Sequence, residues 1–167
     1  MNVTRSQVRS FLDSARNLPE LPSDVADLQP AILANSQRAR ELVKTHFGFT
    51  PTPDATGLKT LDDLLNAMHV AMRGAIGKWF GRKISPTDAT IVAKSLGAFF
   101  GEVVQSQLGG SWGFQNYDGQ SYVALRSSSG TSFFIIQKAA KQFENGEEDS
   151  VQFFYKVLAD PSERKLY

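Results

Sequence analysis

Apolar residues recur in two rhythms along this chain, every three or four positions through its first part and then every second position over short runs. Val8, Phe11, Leu12 and Ala15 share one helical face and predict a helix over 4–17, ended by Pro19 and Pro22. Ile32, Leu33, Ala39, Leu42, Val43 and Phe47 predict a second helix over 30–47, with Gly48 as its stop. Pro51 and Pro53 make 50–57 a loop. From Thr60 onward, Leu61, Leu64, Leu65, Met68, Met72, Ile76 and Phe80 form a broad stripe, and Thr60 with Asp63 resembles a capping box. The fourth helix has the clearest start. Ser85 can cap it, Pro86 suits the first helical position, and Asp88 complements the helix dipole. It runs to Leu108, where Gly109-Gly110 stops it.

Residues 111–117 and 120–127 then read as strands joined by Asp118-Gly119, a strong hairpin signal. Ser128-Ser129-Gly130 predicts a further turn and 131–136 a third strand. Two short helices follow, over 137–144 and 149–159, parted at Asn145-Gly146. Strands come after helices instead of alternating with them. The pattern is therefore that of an α+β domain with four N-terminal helices, a small three-stranded antiparallel sheet and two short C-terminal helices. No repeat or linker divides residues 1–167, so one domain is expected, with a helical N-terminal portion (1–57) and a helix–hairpin–helix core (58–160).

Composition narrows the function classes. The net charge is +1, from 18 basic and 17 acidic residues, which argues against a dedicated nucleic-acid binder. There is no cysteine, hence no thiolate nucleophile, disulfide or Cys-ligated metal. The start of the chain lacks the apolar run of a signal peptide, and no window is apolar enough to span a bilayer. A cytoplasmic protein with no membrane contact is the expectation.

Few residues suggest chemistry. Glu102 sits among Phe99, Phe100, Val103 and Val104, where lost hydration would raise a carboxyl pKa toward a general acid or base. It also shares a polar face with Ser95, Gln105 and Ser106. Trp112 reads as a core anchor whose indole N–H wants a partner such as Glu102. Ala93, Gly97 and Gly101 make a small-residue seam, with Ala67, Ala71 and Gly74 as its plausible mate. Trp79-Phe80 reads as core closure or as part of an aromatic–basic patch with Arg82 and Lys83. His46 and His69 lack a second ligand at metal spacing, so neither a metal nor a cofactor is expected. No phosphate loop or dinucleotide turn is present. Glu144, Glu147, Glu148 and Asp149 form the one dense charge cluster. Acids there would complement the dipole of the last helix or meet a basic partner. Arg73, Lys78, Arg82 and Lys83 are a smaller basic counterpart.

Two stretches carry a resemblance. One is Leu96-Gly97-Ala98-Phe99-Phe100-Gly101-Glu102 with Leu108-Gly109-Gly110-Ser111-Trp112. The other is Asn145-Gly146-Glu147-Glu148-Asp149-Ser150 with Phe153-Phe154-Tyr155. Together they resemble a poorly characterised group of small bacterial α+β proteins. The resemblance covers 60–160 and implies no established activity. By analogy with proteins of this size it implies an immunity-like role toward a secreted toxin. The sequence reading is thus a non-enzymatic protein-binding domain that meets its partner through the acidic turn (Glu144, Glu147, Glu148, Asp149) and the hairpin tip (Asn116, Tyr117, Asp118). The alternatives are a hydrolase-like enzyme using Glu102 with His69 nearby, and a ligand-sensing or scaffold domain dimeric through the third helix.

Overall fold

The computed structural model describes residues 1–74 and 83–160. Its first helix, α1 (Arg5–Ala15), is capped by Thr4 and Gln7 in a reciprocal capping box. Val8, Phe11, Leu12 and Ala15 are fully buried, as the spacing predicts. The second helix, α2 (Val25–Phe47), begins earlier than expected. Asp24 caps it by accepting from the Ala26 N–H, and Pro30 lies inside it on the solvent side. Gly48 closes it in a left-handed conformation. The third helix, α3 (Ala55–Arg73), also starts early. Asp54 accepts from the N–H groups of Thr56 and Gly57. The expected Thr60 cap is absent, because the Thr60 hydroxyl bonds back to the Thr56 carbonyl inside the helix. Ile76, Phe80 and the Trp79-Phe80 pair lie outside the described residues.

The fourth predicted helix is one rod in three parts: α4 (Pro86–Val92), a π-helical turn (Ala93–Gly97) and α5 (Ala98–Leu108). Ser85 caps it and Pro86 opens it, as read from the sequence. The Ser95 hydroxyl donates back to the Ile91 carbonyl at 2.6 Å, a side-chain bond that competes with the regular ladder where it widens. Strands β1 (Ser111–Tyr117) and β2 (Gln120–Arg126) pair antiparallel without a bulge around the Asp118-Gly119 turn. Positive φ at both turn residues, 50° and 74°, marks the hairpin type whose twist matches the strands. The third strand, β3 (Ser132–Phe133), is shorter than expected. Ile135 and Ile136 already belong to α6 (Ile135–Asn145). A 3-10 turn (Gly146–Asp149) leads to α7 (Val151–Ala159), capped by Ser150. The domain is α+β with a three-stranded antiparallel sheet in the order β1-β2-β3. The π turn and the 3-10 turn make its helical elements more numerous than the four and two expected.

The core lies between the helices and one sheet face. Phe11, Phe99, Phe100 and Phe143 are its largest enclosed side chains. The small-residue seam is used, but not with α3. A Cβ at Gly97 would sit 2.5 Å from the Ile136 carbonyl oxygen, and one at Gly101 would sit 2.8 Å from the Trp112 ring. The seam admits the start of α6 and the indole because both cross the rod where it lacks side chains. No described helix is long and apolar enough to cross a membrane.

Candidate functional site

Glu102 projects from α5 toward α2, the helix packed beside it. Its carboxylate accepts a hydrogen bond from the Ser36 hydroxyl and lies 3.9 Å from the Arg40 guanidinium. Ser36 and Arg40 stand four residues apart and therefore share one flank of α2. Ser36 is fully buried, and 18% of the Glu102 side chain is exposed. The Arg40 Nε is enclosed without an acceptor, so the ion pair is not a two-bond fork.

The expected Glu102–Trp112 bond does not form. The Trp112 indole N–H donates to Gln105 Oε1 at 2.9 Å, and Gln105 Nε2 donates to Gln29 on α2 at 2.6 Å. The reason is helix phase. Gly101 and Gln105, four apart, face the indole, whereas Glu102 is turned by about 100° toward α2.

His69 belongs to different surroundings. Its Nδ1–H donates to the Phe143 carbonyl at 2.9 Å, and its ring fills the space above Gly146. The carboxylate and the imidazole share no partner, which leaves the pairing of Glu102 with His69 without a geometry. His46 is likewise held, by the Ser14 hydroxyl at 3.0 Å and edge-on to the Phe11 ring. Among the described residues no His, Asp and Glu cluster has the makings of a metal site.

The acidic turn is largely occupied. Asp149 accepts from Lys138 at 2.5 Å and from Asn145 at 2.6 Å. Burial pushes its carboxyl up, but the Lys138 ammonium and the Asn145 amide outweigh that and hold it below the ordinary value of 3.8. Glu147 accepts from Asn66 on α3 at 2.9 Å. These acids lie in the 3-10 turn, so α7 has no acid in its first turn and the expected dipole role falls instead to Asp62. Asp62, unremarked in the sequence, accepts from the Ser150 hydroxyl and from the Gln152 N–H at the start of α7. The buried Gln142 adds a bridge from the Asp62 carbonyl to the Val151 N–H. Glu144 is exposed and shares a cleft of about 580 Å³ with Arg73, Lys83 and Ser85. Of the basic residues named from sequence, Lys78 and Arg82 lie outside the described residues.

The hairpin tip is open. Tyr117 is 67% exposed, and its ring leans edge-on against Phe134, which also meets Tyr122. Asn116 and Asp118 are exposed beside it. Phe134 is the residue just before α6, and the acidic turn begins just after it. The two halves of the proposed contact surface thus stand at opposite ends of an 11-residue helix, about 16 Å apart.

A second feature of the hairpin was hidden from residue-by-residue reading. Tyr117 and Gln120 flank a two-residue turn, so they exchange both backbone bonds, as do the pairs 115–122, 113–124 and 111–126. The Ser127 N–H bonds to the Thr131 carbonyl on the far side of β2, which agrees with that parity. The backbone N–H and C=O groups of Trp112, Phe114 and Asn116 therefore point away from β2. Among the described residues no strand pairs with that edge.

Glu102 lines neither the cleft beside Glu144 nor those that Asn66 and Leu125 line. Compared with protein-family models, curated proteins and solved structures, the chain matches none.

Proposed function

We propose that this protein is a non-enzymatic, cytoplasmic protein-binding domain whose contact element is the β1–β2 hairpin. The observation that carries this reading is the unpaired outer edge of β1, which ends in the exposed Tyr117. An open strand edge satisfies its backbone groups by taking another chain, and an exposed tyrosine supplies apolar area at low entropic cost. The placement of Glu102 supports binding over hydrolysis. Its carboxylate is engaged by Ser36 and Arg40. The acidic turn is a separate surface, with Glu144 its most available acid, and it suits a basic protein partner approached by charge. Neutralisation of a bacterial toxin by occlusion is the use that the resemblance to small bacterial proteins suggests. Neither nucleic acid nor membrane enters this reading.

Affinity capture of the tagged protein from its native cells tests it, with Tyr117→Ala and Glu144→Lys variants alongside. A stoichiometric partner lost with Tyr117→Ala places the contact on the hairpin, and one lost only with Glu144→Lys moves it to the acidic turn. A partner retained by both variants contradicts the reading.

A further inference from the structure

The chemistry of the β1 edge selects its occupant. Three outward donors and three outward acceptors, at Trp112, Phe114 and Asn116, call for an extended chain and not for a helix or a small molecule. Among the described residues only the Asn116 carbonyl has a partner, a long 3.4 Å bond from the neighbouring Gln115 amide that an incoming strand would displace. Ser111–Tyr117 carries no charge and no proline, and its register with β2 runs without a bulge. Charge, proline and a bulge are three of the devices that keep an edge strand from pairing, and Ser111–Tyr117 has none of the three, although α2 also packs against β1. At the other edge of the sheet β3 is only 2 residues long, which blunts it.

We infer that a second copy of this chain occupies the edge, β1 lying antiparallel to β1 across a two-fold axis at Phe114. The inference rests on the hairpin being the contact element, and it names that element's partner. Symmetry then matches every group. Phe114 exchanges both bonds with its own copy, and Trp112 of each copy faces Asn116 of the other. Three donors from each copy make six bonds in all. With no charge in the strand, no like charges face each other across the axis.

Side chains on the solvent face favour the same pairing. Tyr117 would stand opposite Ser111 of the other copy, diagonal to its Gly113. These are non-hydrogen-bonded positions, where side chains come closest. Nothing lies within 4 Å of the place a Gly113 Cβ would take, so the glycine leaves an open floor. The exposed Tyr117 ring, edge-on to Phe134 in the protomer, would turn outward across the edge to cover that floor, the arrangement in which an aromatic ring shelters a strand glycine. Leu33, 41% exposed, stands four residues from Gln29 and three from Ser36, on the flank of α2 that faces α5. The product is one continuous six-stranded sheet, with the two acidic turns left facing outward.

The test is sedimentation velocity over a concentration series of purified full-length protein, with amide hydrogen exchange on the same samples. The expected result is a species of twice the protomer mass that grows with concentration, together with slowed exchange at the Phe114 and Asn116 amides. The Gln115 amide, already bonded to β2, should be protected throughout. Asn116→Pro removes an outward donor without touching the β1–β2 ladder, since proline is tolerated where a strand N–H faces outward. It should weaken association by about tenfold or more, with circular dichroism unchanged. Tyr117→Ser should weaken association as well and cannot disturb the backbone. A monomer at every concentration overturns the inference, and so does a dimer in which the Phe114 and Asn116 amides stay unprotected. If the protein is monomeric yet loses a captured partner on Tyr117→Ala, only the second copy is wrong. If it is monomeric and capture is indifferent to the hairpin, the hairpin reading falls too.

Discussion

At the scale of single residues, the polar groups that stand out in the sequence turn out to hold the fold together. Glu102 is the clearest case. Its place among phenylalanines is legible from the chain, but its partners are not. Ser36 and Arg40 lie more than sixty positions away, and no local pattern points from one helix to the other. Replacing Glu102 with alanine strips the acceptor from a buried hydroxyl and a partly buried guanidinium. The expected loss is roughly 2 kcal/mol in denaturant unfolding. An alanine variant as stable as the wild type would return Glu102 to the candidates for chemistry. Asp149 gives a pH signature. Its folded-state pKa is depressed, so the stabilisation from Lys138 and Asn145 is complete above the unfolded value of 3.8 and disappears as pH falls through the folded value. Asp149→Asn should therefore be less stable than wild type at neutral pH, and the difference should shrink in acid. Melting curves across pH 2 to 7, a range of roughly five units around the carboxylate values, check this. A difference that stays constant would mean the carboxylate is not held this way.

At the scale of elements, caps and glycines decided what could be foreseen. The fourth helix was readable because Ser85, Pro86 and Gly109 mark its ends by local chemistry. The starts of α2 and α3 were not, because Pro30 and the Thr60–Asp63 pattern offered stronger signals than the Asp24 and Asp54 caps in use. The π turn has no single-residue signature, and Lys94 lies within it. This lysine is 7% exposed and gives all three of its donors away, to the Arg16 and Leu18 carbonyls and to Glu20. It places a cation at the C-terminal end of α1 and ties that helix to the rod. Lys94→Met should cost about 2 kcal/mol, because it leaves two carbonyls without their donor, while the exposed Glu20 carboxylate returns to water. A thermal midpoint unchanged by this substitution would contradict the tie. The seam makes a graded prediction. Gly101→Ala meets the edge of the Trp112 ring, which can shift, and should cost about 1–3 kcal/mol. Gly97→Ala meets the Ile136 carbonyl, part of the backbone, and should be the more damaging of the two.

At the scale of the whole molecule, the α+β class followed from strands coming after helices, but the surface did not follow. Glu144 to Asp149 and Asn116 to Asp118 are equally polar in sequence, yet α6 separates them and internal bonds claim part of the first group. The open edge of β1 depends on which backbone groups face outward, a property of hairpin parity with no residue type to announce it. With the hairpin as the proposed contact element, this edge is expected to be covered by protein in the cell. The most direct measurement is photocrosslinking in native cells from an aryl-azide or benzophenone residue placed at Asn116, with the exposed Lys59 on α3 as the control position. A discrete protein adduct from position 116 and none from position 59 is the predicted result. No discrete adduct from position 116 would contradict the claim, since it would leave the hairpin facing water in its working state.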